Sequence, residues 1–342
     1  MRDSFTTRLL PTGKPEEFKT AVRAAADLLR RGGIVAIPTE TVYGLAANAL
    51  NPEAVSAVFS AKGRPSHNPV IVHVDSMPMA HRCVREWPVQ ADALARAFWP
   101  GPLTLVMLRS ALIPDSVVAG GSTVAVRWPR HRFVQALIEA CEFPLAAPSA
   151  NPSSRTSPTT AEHVWESLAG KIPLIIDGGP TWVGIESTVL DVTIDPPRLL
   201  RPGMIHAGAL RAVTGKITTG GGPNDPVLRS PGLLEKHYAP RAALLMGSWA
   251  DATELACRLA SCKADKRGIH LLVHTIPPMN PGAYGRLAIL PRDPEAFGRL
   301  LYAELHRSDA LGAQLVVVER PPDSPEWQGI LDRLSRAAQG RL

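Results

Sequence analysis

The chain contains few cysteines, few aromatic residues and no long apolar segment. Its 342 residues include 4 cysteines and 5% aromatic residues. The cysteines lie far apart, and Cys257 and Cys262 lack the second pair that a zinc site needs, so neither a disulfide framework nor structural zinc is expected. No apolar run approaches the roughly 18 residues that span a bilayer, and the N-terminus has no signal-peptide core. We therefore expect a cytoplasmic protein without a membrane partner.

Several catalytic signatures are also missing from the sequence. It contains no G-x-x-x-x-G-K-[ST] loop, no G-x-S-x-G elbow, no H-E-x-x-H motif and no four-cysteine pattern. These absences argue against Walker-type NTPases, α/β-hydrolases and the common zinc enzymes. No activated nucleophile is evident. The remaining polar residues favour chemistry by positioning of anions, such as transfer of a nucleotidyl or phosphoryl group, over a covalent intermediate.

The charge balance favours anionic partners. Lysine and arginine number 37 against 31 aspartates and glutamates, which gives a net charge of +6 and a pI near 9.3. Nucleotides, nucleic acids and acidic proteins all suit such a balance. The positive charges are scattered, however, and the sequence lacks RNP-type aromatic motifs and a basic stripe. A module that binds RNA is therefore an alternative with little support beyond the charge.

The composition along the chain divides it into two α/β domains and a linker. At roughly 150 residues per domain, 342 residues predict about two domains. Residues 1–213 alternate short apolar strands with helices, and residues 241–342 resume that alternation, which predicts a small doubly wound parallel sheet. Between them, residues 214–240 are rich in glycine and proline and read as a linker. The predicted strands are 34–37, 70–74, 103–108, 123–127, 144–147, 174–176, 188–192, 242–246, 269–274, 287–290 and 314–319.

Polar residues cluster where the predicted strands of the first domain end. Thr39 and Thr41 follow one strand, Lys62 and Arg64 precede another, and Arg127 ends a third. An arginine at a strand's end faces the crevice where open α/β sheets bind ligands, and it pairs with carboxylate or phosphate. Each feature alone also fits a turn, a basic loop or a surface arginine. His73, inside a strand, is on its own more typical of a core histidine.

A hydroxyl-rich segment, residues 147–160, is the most informative of these polar stretches. It follows a buried-looking strand, contains seven hydroxyl groups, and leads into a helix for which Thr159-Thr160-Ala161-Glu162 fits a capping box. The exposed amides of a helix start together with hydroxyl donors make an anion site. The sequence therefore predicts an anion-binding site in the first domain.

Taken in order, eight segments of the first domain resemble the YrdC-type threonylcarbamoyl-AMP synthase family over about residues 15–212. They are GGIVAIPTETVYGLA, KGRPSHNPVIVHV, FWPGPLTLVM, STVAVRWPRH, PLAAPSANPSSRTSPTT, IDGGP, GIESTVLDV and LLRPGMI. The later residues SPG and HYAP resemble the linker signature of that family's long, two-domain form. Four residues between them, Leu233 to Lys236, depart from the family's usual methionine, basic, aromatic and basic pattern.

The resemblance implies a fold and a reaction. The first domain is expected to be a twisted mixed sheet with flanking helices around a positively charged site, and the second domain to be Rossmann-like. The family converts L-threonine, bicarbonate and ATP, with Mg²⁺ bound through the phosphates, into L-threonylcarbamoyl-AMP and pyrophosphate. This is the first step in threonylcarbamoyladenosine modification of tRNAs that read codons beginning with A. The product is expected to pass to a threonylcarbamoyl transferase.

The resemblance also implies roles for individual residues. Lys62 and Arg64 are the catalytic cations that hold phosphates. The other expected ATP contacts are Ser66, Asn68, Thr123, Ser149, Asn151, Ser157, Thr159, Arg201, His237 and Tyr238. The expected threonine contacts are Thr39, Thr41, His73, Arg127, which takes the carboxylate, Ser149 and Ser187. His237 and Tyr238 imply that residues 214–240 form a lid over the site. No metal ligand is expected on the protein itself.

Two further alternatives remain at this point. A relative that makes a different carbamoyl adenylate, such as the carbamoylation module of hydrogenase maturation proteins, shares the YrdC-like domain, but the zinc-finger cysteines and the rest of that larger chain are absent. The second domain, residues 241–342, carries no glycine-rich dinucleotide fingerprint. We therefore expect a regulatory or docking role for it.

Overall fold

The computed structural model describes residues 6–65, 67–219 and 238–342. Within these residues the strands are β1 (Arg8–Pro11), β2 (Val35–Ile37), β3 (Gly44–Asn48), β4 (Ile71–His73), β5 (Leu103–Leu108), β6 (Thr123–Arg127), β7 (Leu145–Ala146), β8 (Leu174–Asp177), β9 (Thr188–Asp191), β10 (Arg198–Arg201), β11 (Thr218–Thr219), β12 (Ala243–Gly247), β13 (Ile269–Val273), β14 (Arg286–Ile289), β15 (Leu315–Glu319) and β16 (Gly340–Arg341). The helices are α1 (Pro15–Arg30), α2 (Pro52–Lys62), α3 (Met77–Cys83), α4 (Val89–Phe98), α5 (Asp115–Val118), α6 (Arg132–Cys141), α7 (Ala161–Leu168), α8 (Ala207–Thr214), α9 (Ala252–Ala260), α10 (Pro294–Ala310) and α11 (Gln328–Ala337).

The first domain is built on a large mixed sheet with the order β1-β8-β2-β3-β7-β4-β6-β5-β9-β10-β11. Neighbours β4 and β6 are parallel, whereas β5 and β6 are antiparallel. Successive side chains of a strand point to opposite faces. Accordingly, Val35 and Ile37 pack in one apolar cluster while Ala36 packs in another. Helices therefore cover both faces, and the expected mixed sheet with flanking helices is confirmed.

Helix α2 delivers two cations to the sheet because of how it begins and ends. The side chain of Asn51 accepts hydrogen bonds from the first backbone N–H groups of the helix. The helix ends at Gly63, whose φ of 60° lies in the left-handed region. An added Cβ there would meet nothing within 4 Å, so glycine serves the backbone conformation rather than packing. This turn directs the chain back after Lys62, the last helical residue, and carries Arg64 toward the sheet.

The second domain contains a five-stranded sheet in which every pairing is parallel. Its order is β14-β13-β15-β12-β16. Leu255 and Leu259 of α9 pack against one face, and the apolar residues of α10 and α11 pack against the other. The predicted doubly wound parallel sheet is confirmed. Its strand order differs from the 3-2-1-4-5 order of dinucleotide-binding folds, because the fourth strand of this sheet, β15, lies between the first and second.

The two domains share one apolar cluster. Val42 and Ile185 of the first domain and Tyr238 of the linker belong to this cluster. Phe297 and Leu301 of α10 and Ile330 of α11 pack in it from the second domain. The chain also stays with the first sheet beyond the predicted boundary at 213, because β11 pairs with β10. Residues 220–237, which hold most of the predicted lid, lie outside the described residues.

The strands that were predicted differ from the observed ones by at most two residues at their ends. Within the described residues, ten of the elements named above were not predicted: strands β1, β3, β10, β11 and β16 and helices α3, α4, α5, α6 and α8. The sequence of β3, GLAAN, has the small residues and glycine that weaken a strand signal. Across the described residues, none of the helices is both long enough and apolar enough to cross a membrane.

Candidate functional site

A pocket opens in the first domain where several segments of the mixed sheet converge. It lies at the end of β4 and β6, beside the turn after β2, the turn after α2 and the segments that precede β9 and end β10. Nine of the predicted site residues line it. Six lining residues among those described were not predicted, and of these only Glu186 is charged. The nine are Thr39, Thr41, Arg64, His73, Arg127, Ser149, Ser187, Arg201 and Tyr238.

Arg127 is held at the end of β6 by acceptors from the turn after β2. Its Nη1 donates to Oγ1 of Thr41 at 2.9 Å, and its Nη2 lies 2.7 Å from Oε1 of Glu40. Thr39 completes the turn by donating from Oγ1 to the carbonyl of Val42 at 2.6 Å. Arg127 and Glu40 are both buried. A buried guanidinium fixed from one side presents its remaining face for a planar anion such as a carboxylate.

His73 faces the same pocket as a neutral imidazole. The parallel register of β4 and β6 pairs His73 with Arg127. Burial, reinforced by the positive charge of Arg127, holds the pKa of His73 well below its ordinary value. Its Nδ1 is buried and has no hydrogen-bond partner among the residues that the structure describes. The imidazole is therefore suited to a polar group of a ligand, and the reading of His73 as a satisfied core residue does not fit.

Ser187 is fixed from two neighbouring strands. Its Oγ lies 2.7 Å from Oγ1 of Thr104 on β5. Arg201, at the end of β10, donates from Nε to the carbonyl of Ser187 at 3.1 Å and from Nη2 to its Oγ at 3.1 Å. The serine hydroxyl and the arginine thus form one hydrogen-bonded unit in the pocket wall, which positions both for a ligand.

Lys62 and Arg64 are buried cations that contact backbone carbonyls rather than carboxylates. Lys62 Nζ donates to the carbonyl of Ser149 and, at 2.5 Å, to that of Asn151. Arg64 donates to the carbonyls of Asn68 at 3.2 Å and Pro69 at 2.8 Å. In residues 6–65, 67–219 and 238–342, no acidic side chain lies within 4 Å of either cation.

The electrostatics of these two cations follow from that environment. Burial, and then the neighbouring charge of Arg64, lowers the pKa of Lys62 well below its ordinary value. Burial likewise lowers the pKa of Arg64 to about 10. A buried charge without a counter-charge is costly. Arg64 lines the pocket, so a polyanion that enters it would supply a counter-charge there. Lys62 is not among the described lining residues; its Nζ lies behind the pocket wall, on the carbonyl of Ser149, a residue that does line the pocket.

The other predicted ATP contacts lie beside the pocket or away from it. The buried amide of Asn68 has no hydrogen-bond partner on either atom among the described residues. Asn151 donates to the carbonyls of Pro152 and Arg155 within its own loop. Thr159 contacts His163 at 3.3 Å. Thr123 begins β6 and so lies at the opposite end of that strand from Arg127. Their assignment to ATP stays a prediction, and Ser66 and His237 lie outside the described residues.

Glu186 is the pocket residue that sequence reasoning missed. Ser157 donates to its Oε1 at 2.5 Å, and two residues of the second domain, Tyr302 and Arg333, donate to its Oε2 at 3.1 and 2.7 Å. Burial acts to raise the pKa of Glu186, but the charges of Arg333 and Arg201 and the hydrogen bond from Ser157 lower it overall. The carboxylate is thus held ionised. The sequence signal was its place in the polar run Glu186-Ser187-Thr188 at the start of a predicted strand, whereas its partner Arg333 lies 147 positions away.

The described end of the linker contacts the hydroxyl-rich loop. The backbone N–H of Ala239 donates to the carbonyl of Ser154 at 3.1 Å, and Thr156 N–H donates to the carbonyl of Ala239 at 3.2 Å. Thr156 Oγ1 also donates to the carbonyl of Tyr238 at 3.3 Å. These bonds place the ring of Tyr238 in the pocket wall, where it is buried.

Comparisons with known proteins cover both domains of the chain. Residues 27–203 match the Sua5/YciO/YrdC family model, described as "Telomere recombination", and residues 205–339 match the model described as "Threonylcarbamoyl-AMP synthase, C-terminal domain". The threonylcarbamoyl-AMP synthase of Pyrococcus abyssi is 39% identical over 333 residues, 96% of each chain. That of Bacillus subtilis is 39% identical over 334 residues, 94% of each chain. A crystal structure of P. abyssi Sua5 complexed with L-threonine is 36% identical and has a TM-score of 0.89, covering 98% of this chain and 99% of that one.

Proposed function

The chain belongs to the two-domain threonylcarbamoyl-AMP synthase family, and from that premise we propose how its pocket divides the substrates L-threonine, bicarbonate and ATP. Members of this family are transferases of tRNA modification. The observation that carries the proposal is the pair of buried cations, Lys62 and Arg64, that contact only carbonyl groups among the described residues. A separate subsite surrounds Arg127, whose guanidinium contacts the side chains of Thr41 and Glu40.

The subsite around Arg127 suits threonine. The guanidinium of Arg127 would pair with the carboxylate of the amino acid, since Thr41 and Glu40 already fix its orientation. The unpartnered Nδ1 of neutral His73 would accept a hydrogen bond from a donor of threonine, and Ser187 and Thr39 offer hydroxyl groups nearby. The known complex of P. abyssi Sua5 with L-threonine supports this choice of ligand.

Lys62 and Arg64 would hold the phosphates of ATP. The neutral amine of threonine attacks bicarbonate or CO₂ and a C–N bond forms. Water leaves when bicarbonate reacts, and a proton leaves when CO₂ reacts. An oxygen of the resulting carbamate then attacks the α-phosphorus, and the bond from that phosphorus to the bridging oxygen breaks to release pyrophosphate. Carbamate and triphosphate repel each other, so fixed cations between them lower the barrier. No protein nucleophile is needed, and catalysis rests on proximity and electrostatics.

Mg²⁺ is proposed to enter with the nucleotide. The donor set fits a metal held mainly by phosphate, because the two carboxylates of the pocket region, Glu40 and Glu186, already contact Arg127 and Arg333. When bound, Mg²⁺ neutralises part of the phosphate charge. The described residues contain no cluster of three or more His, Cys, Asp or Glu side chains suited to a metal.

The fate of the product is also a proposal. A carbamoyl adenylate is a mixed anhydride that water hydrolyses, so rapid transfer to a threonylcarbamoyl transferase would preserve it. The burial of the pocket residues supports a site that limits contact with water.

Binding of RNA remains an alternative use of the net positive charge.

The test is release of pyrophosphate from ATP in the presence and absence of L-threonine and bicarbonate. We expect release only when both are present, and L-serine in place of threonine then measures the specificity of the pocket. Release that needs neither would make the protein an ATP pyrophosphatase and contradict the proposal. A folded protein that binds ATP but releases nothing under any condition would also contradict it, and would favour the binding-module alternative.

A further inference from the structure

The ionised carboxylate of Glu186 is electrostatically unfavourable in a pocket that is proposed to accept polyanions. It lines the same pocket as Arg64 and Arg201, and its charge acts on Lys62. An ionised carboxylate in that wall would repel phosphate groups, or would compete with them for the nearby cations. Within the first domain the described hydrogen bond to its side chain comes from the hydroxyl of Ser157, which is neutral. Arg201 of the first domain supplies part of the compensating positive charge, and Arg333 of the second domain supplies the larger part.

Arg333 of α11 makes a set of contacts that is unusual for a residue outside the catalytic domain. It is fully buried, and its Nε donates to Oε2 of Glu186 at 2.7 Å. Its Nη2 donates to the backbone carbonyl of Glu186 at 3.2 Å, and its Nη1 donates to the carbonyl of Pro202 at 3.0 Å and to Asp332 at 2.6 Å. One guanidinium therefore contacts a side chain and two backbone segments of the first domain.

Those two backbone segments are the ones that carry pocket residues. Glu186 precedes Ser187, and Pro202 follows Arg201, and both Ser187 and Arg201 line the pocket. The guanidinium thus fixes the spacing of the segments that present this hydrogen-bonded serine and arginine. Close packing also fixes the position of α11 against the segment after Arg201. A Cβ added to Gly329 of α11 would lie only 2.8 Å from the backbone of Gly203, so the two backbones are in direct contact.

Tyr302 of α10 reinforces the arrangement. Its hydroxyl donates to Oε2 of Glu186 at 3.1 Å, the oxygen that Arg333 also contacts. The guanidinium carbon of Arg333 lies 5.1 Å from the ring of Tyr238, which itself lines the pocket. A positive charge over an aromatic face is attracted to it. Tyr302 and Arg333 of the second domain therefore both hold Oε2 of Glu186 at the interface between the domains.

We propose that Arg333 is a positioning residue for the active site, by which the second domain neutralises Glu186 and holds the segments of Ser187 and Arg201 in register for ATP. This inference rests on the proposed function. It gives the second domain a part in nucleotide binding that its own sheet does not supply. The alternative is that Arg333 only stabilises the contact between domains.

A double-mutant cycle separates these two roles, because it changes the charge of Glu186 independently of Arg333. The variants are Arg333→Met, Glu186→Gln and the double substitution, with Arg307→Met, an exposed arginine of α10, as the matched control. For each we would measure KM for ATP, KM for threonine and kcat from pyrophosphate release, together with the melting temperature. We expect Arg333→Met to raise KM for ATP about tenfold or more, through Glu186 and Arg201, and KM for threonine by a smaller factor, through Ser187.

The decisive result is the double variant. If Arg333 acts by compensating the carboxylate, then replacing Glu186 by glutamine removes the need for it, and the double variant should recover most of the lost ATP affinity relative to Arg333→Met. Equal losses of activity in the single and double variants, or a loss that follows the melting temperature alone, would overturn the proposal. The control variant should match the unmodified protein.

Two milder variants keep the test informative if Arg333→Met does not fold. Arg333→Lys retains the charge but loses the forked contacts to the two backbone carbonyls, and Tyr302→Phe removes one hydrogen bond to Glu186 without changing any charge. Each should raise KM for ATP two- to fivefold, and Glu186→Gln should abolish the effect of Tyr302→Phe. An effect of Tyr302→Phe that is unchanged in the Glu186→Gln background would contradict the proposal.

Direct titration with a non-hydrolysable ATP analogue distinguishes failure of this inference from failure of the proposed function. If the unmodified protein binds the analogue but Arg333→Met binds it equally well, the inference about Arg333 is wrong and the synthase reading is unaffected. If the unmodified protein binds no nucleotide at all, the proposed function fails, and the inference falls with it.

Discussion

The two domains use the ends of their strands in opposite ways. In the first domain Arg64 lines the crevice and Lys62 lies behind its wall, and the hydrogen bonds of both cations to described residues go to backbone carbonyl oxygens. In the second domain the equivalent crevice contains Glu319 at the end of β15. Its Oε2 accepts the backbone N–H groups of His274 and Thr275 at 2.7 and 2.9 Å, and its Oε1 accepts the hydroxyl of Thr275.

This difference supports the proposal that the anion site lies at the sheet of the first domain and not at that of the second. Open α/β sheets bind ligands in the crevice beyond the carboxyl ends of their strands, commonly through backbone amides. In the second domain a carboxylate of the protein already contacts those amides. In the first domain no carboxylate of the described residues takes that place beside Lys62 and Arg64. The ligand-binding capacity therefore lies in the first domain, and the second contributes through Arg333 and Tyr302 at the interface.

The largest expected effect comes from removing a cation of the first crevice. Lys62→Ala or Arg64→Ala should each lower kcat/KM for product formation by a factor of roughly 100 to 1,000, because a preorganised charge at a reacting phosphate is worth about 2–4 kcal/mol. The measurement is pyrophosphate release with saturating threonine and bicarbonate. Lys171→Ala, an exposed lysine of the same domain, is the control. Full activity in both crevice variants would refute their assignment.

The next effect separates the two subsites of that crevice. Arg127→Gln should raise KM for threonine by roughly 10- to 100-fold with a much smaller change in KM for ATP, because a charge-assisted pair with a carboxylate contributes about 1.5–3 kcal/mol. Steady-state kinetics with each substrate varied in turn gives the comparison. A larger effect on ATP than on threonine would show that Arg127 holds phosphate instead.

A smaller effect is expected in the crevice of the second domain. Glu319→Gln leaves the amides of His274 and Thr275 with a weaker acceptor and should cost about 1–3 kcal/mol of folding stability. The KM for ATP should not change, since the residue lies at the end of the other sheet. The melting temperature from thermal unfolding and the KM for ATP from steady-state kinetics test this prediction. A marked rise in KM for ATP with unchanged stability would mean that the second crevice takes part in nucleotide binding.

The smallest effect at neutral pH concerns the histidine pair between the domains. His163 of α7 and His306 of α10 stack with ring centroids 3.9 Å apart. Burial, and then the charge of His306, lowers the pKa of His163 to about 3, and burial lowers the pKa of His306 despite its hydrogen bond to the carbonyl of Ser157. Both rings are therefore neutral in the folded protein at neutral pH.

The sign of the resulting pH dependence follows from which state binds more protons. The unfolded chain protonates these histidines below their ordinary pKa of about 6.5, whereas the folded chain does so only at lower pH. Stability should therefore be unaffected above about pH 7 and decrease as the pH falls from about 6.5. His163→Gln should reduce the slope of melting temperature against pH in that range. An identical slope in the variant would contradict this origin.

Nine of the candidate site residues named from the sequence line one pocket, whereas several of the strands and helices around that pocket were not predicted. Arg127, Arg64 and Thr41 were candidates because they lie near predicted strands, and the resemblance to a known family gave them their expected roles; the structure places all three at one pocket. Strand β3 was missed because its alanines and glycine carry no β signal, and because one of its two partners, β7, lies far along the chain. Glu186 was visible as a polar residue in a short motif, yet its role depends on a partner in the other domain.

Local physical chemistry accounts for much of this protein. Alternating apolar segments produce two α/β domains, Gly63 turns the chain after α2, and Asn51 and Thr160 cap their helices through hydrogen bonds to residues close by in sequence. Long-range packing accounts for the rest. The pairing of His73 with Arg127, the contact of Lys62 with the loop of Ser149, and the contact of Arg333 with Glu186 join residues that are 54, 87 and 147 positions apart. Such contacts depend on burial and charge balance in the whole fold, which no local pattern specifies.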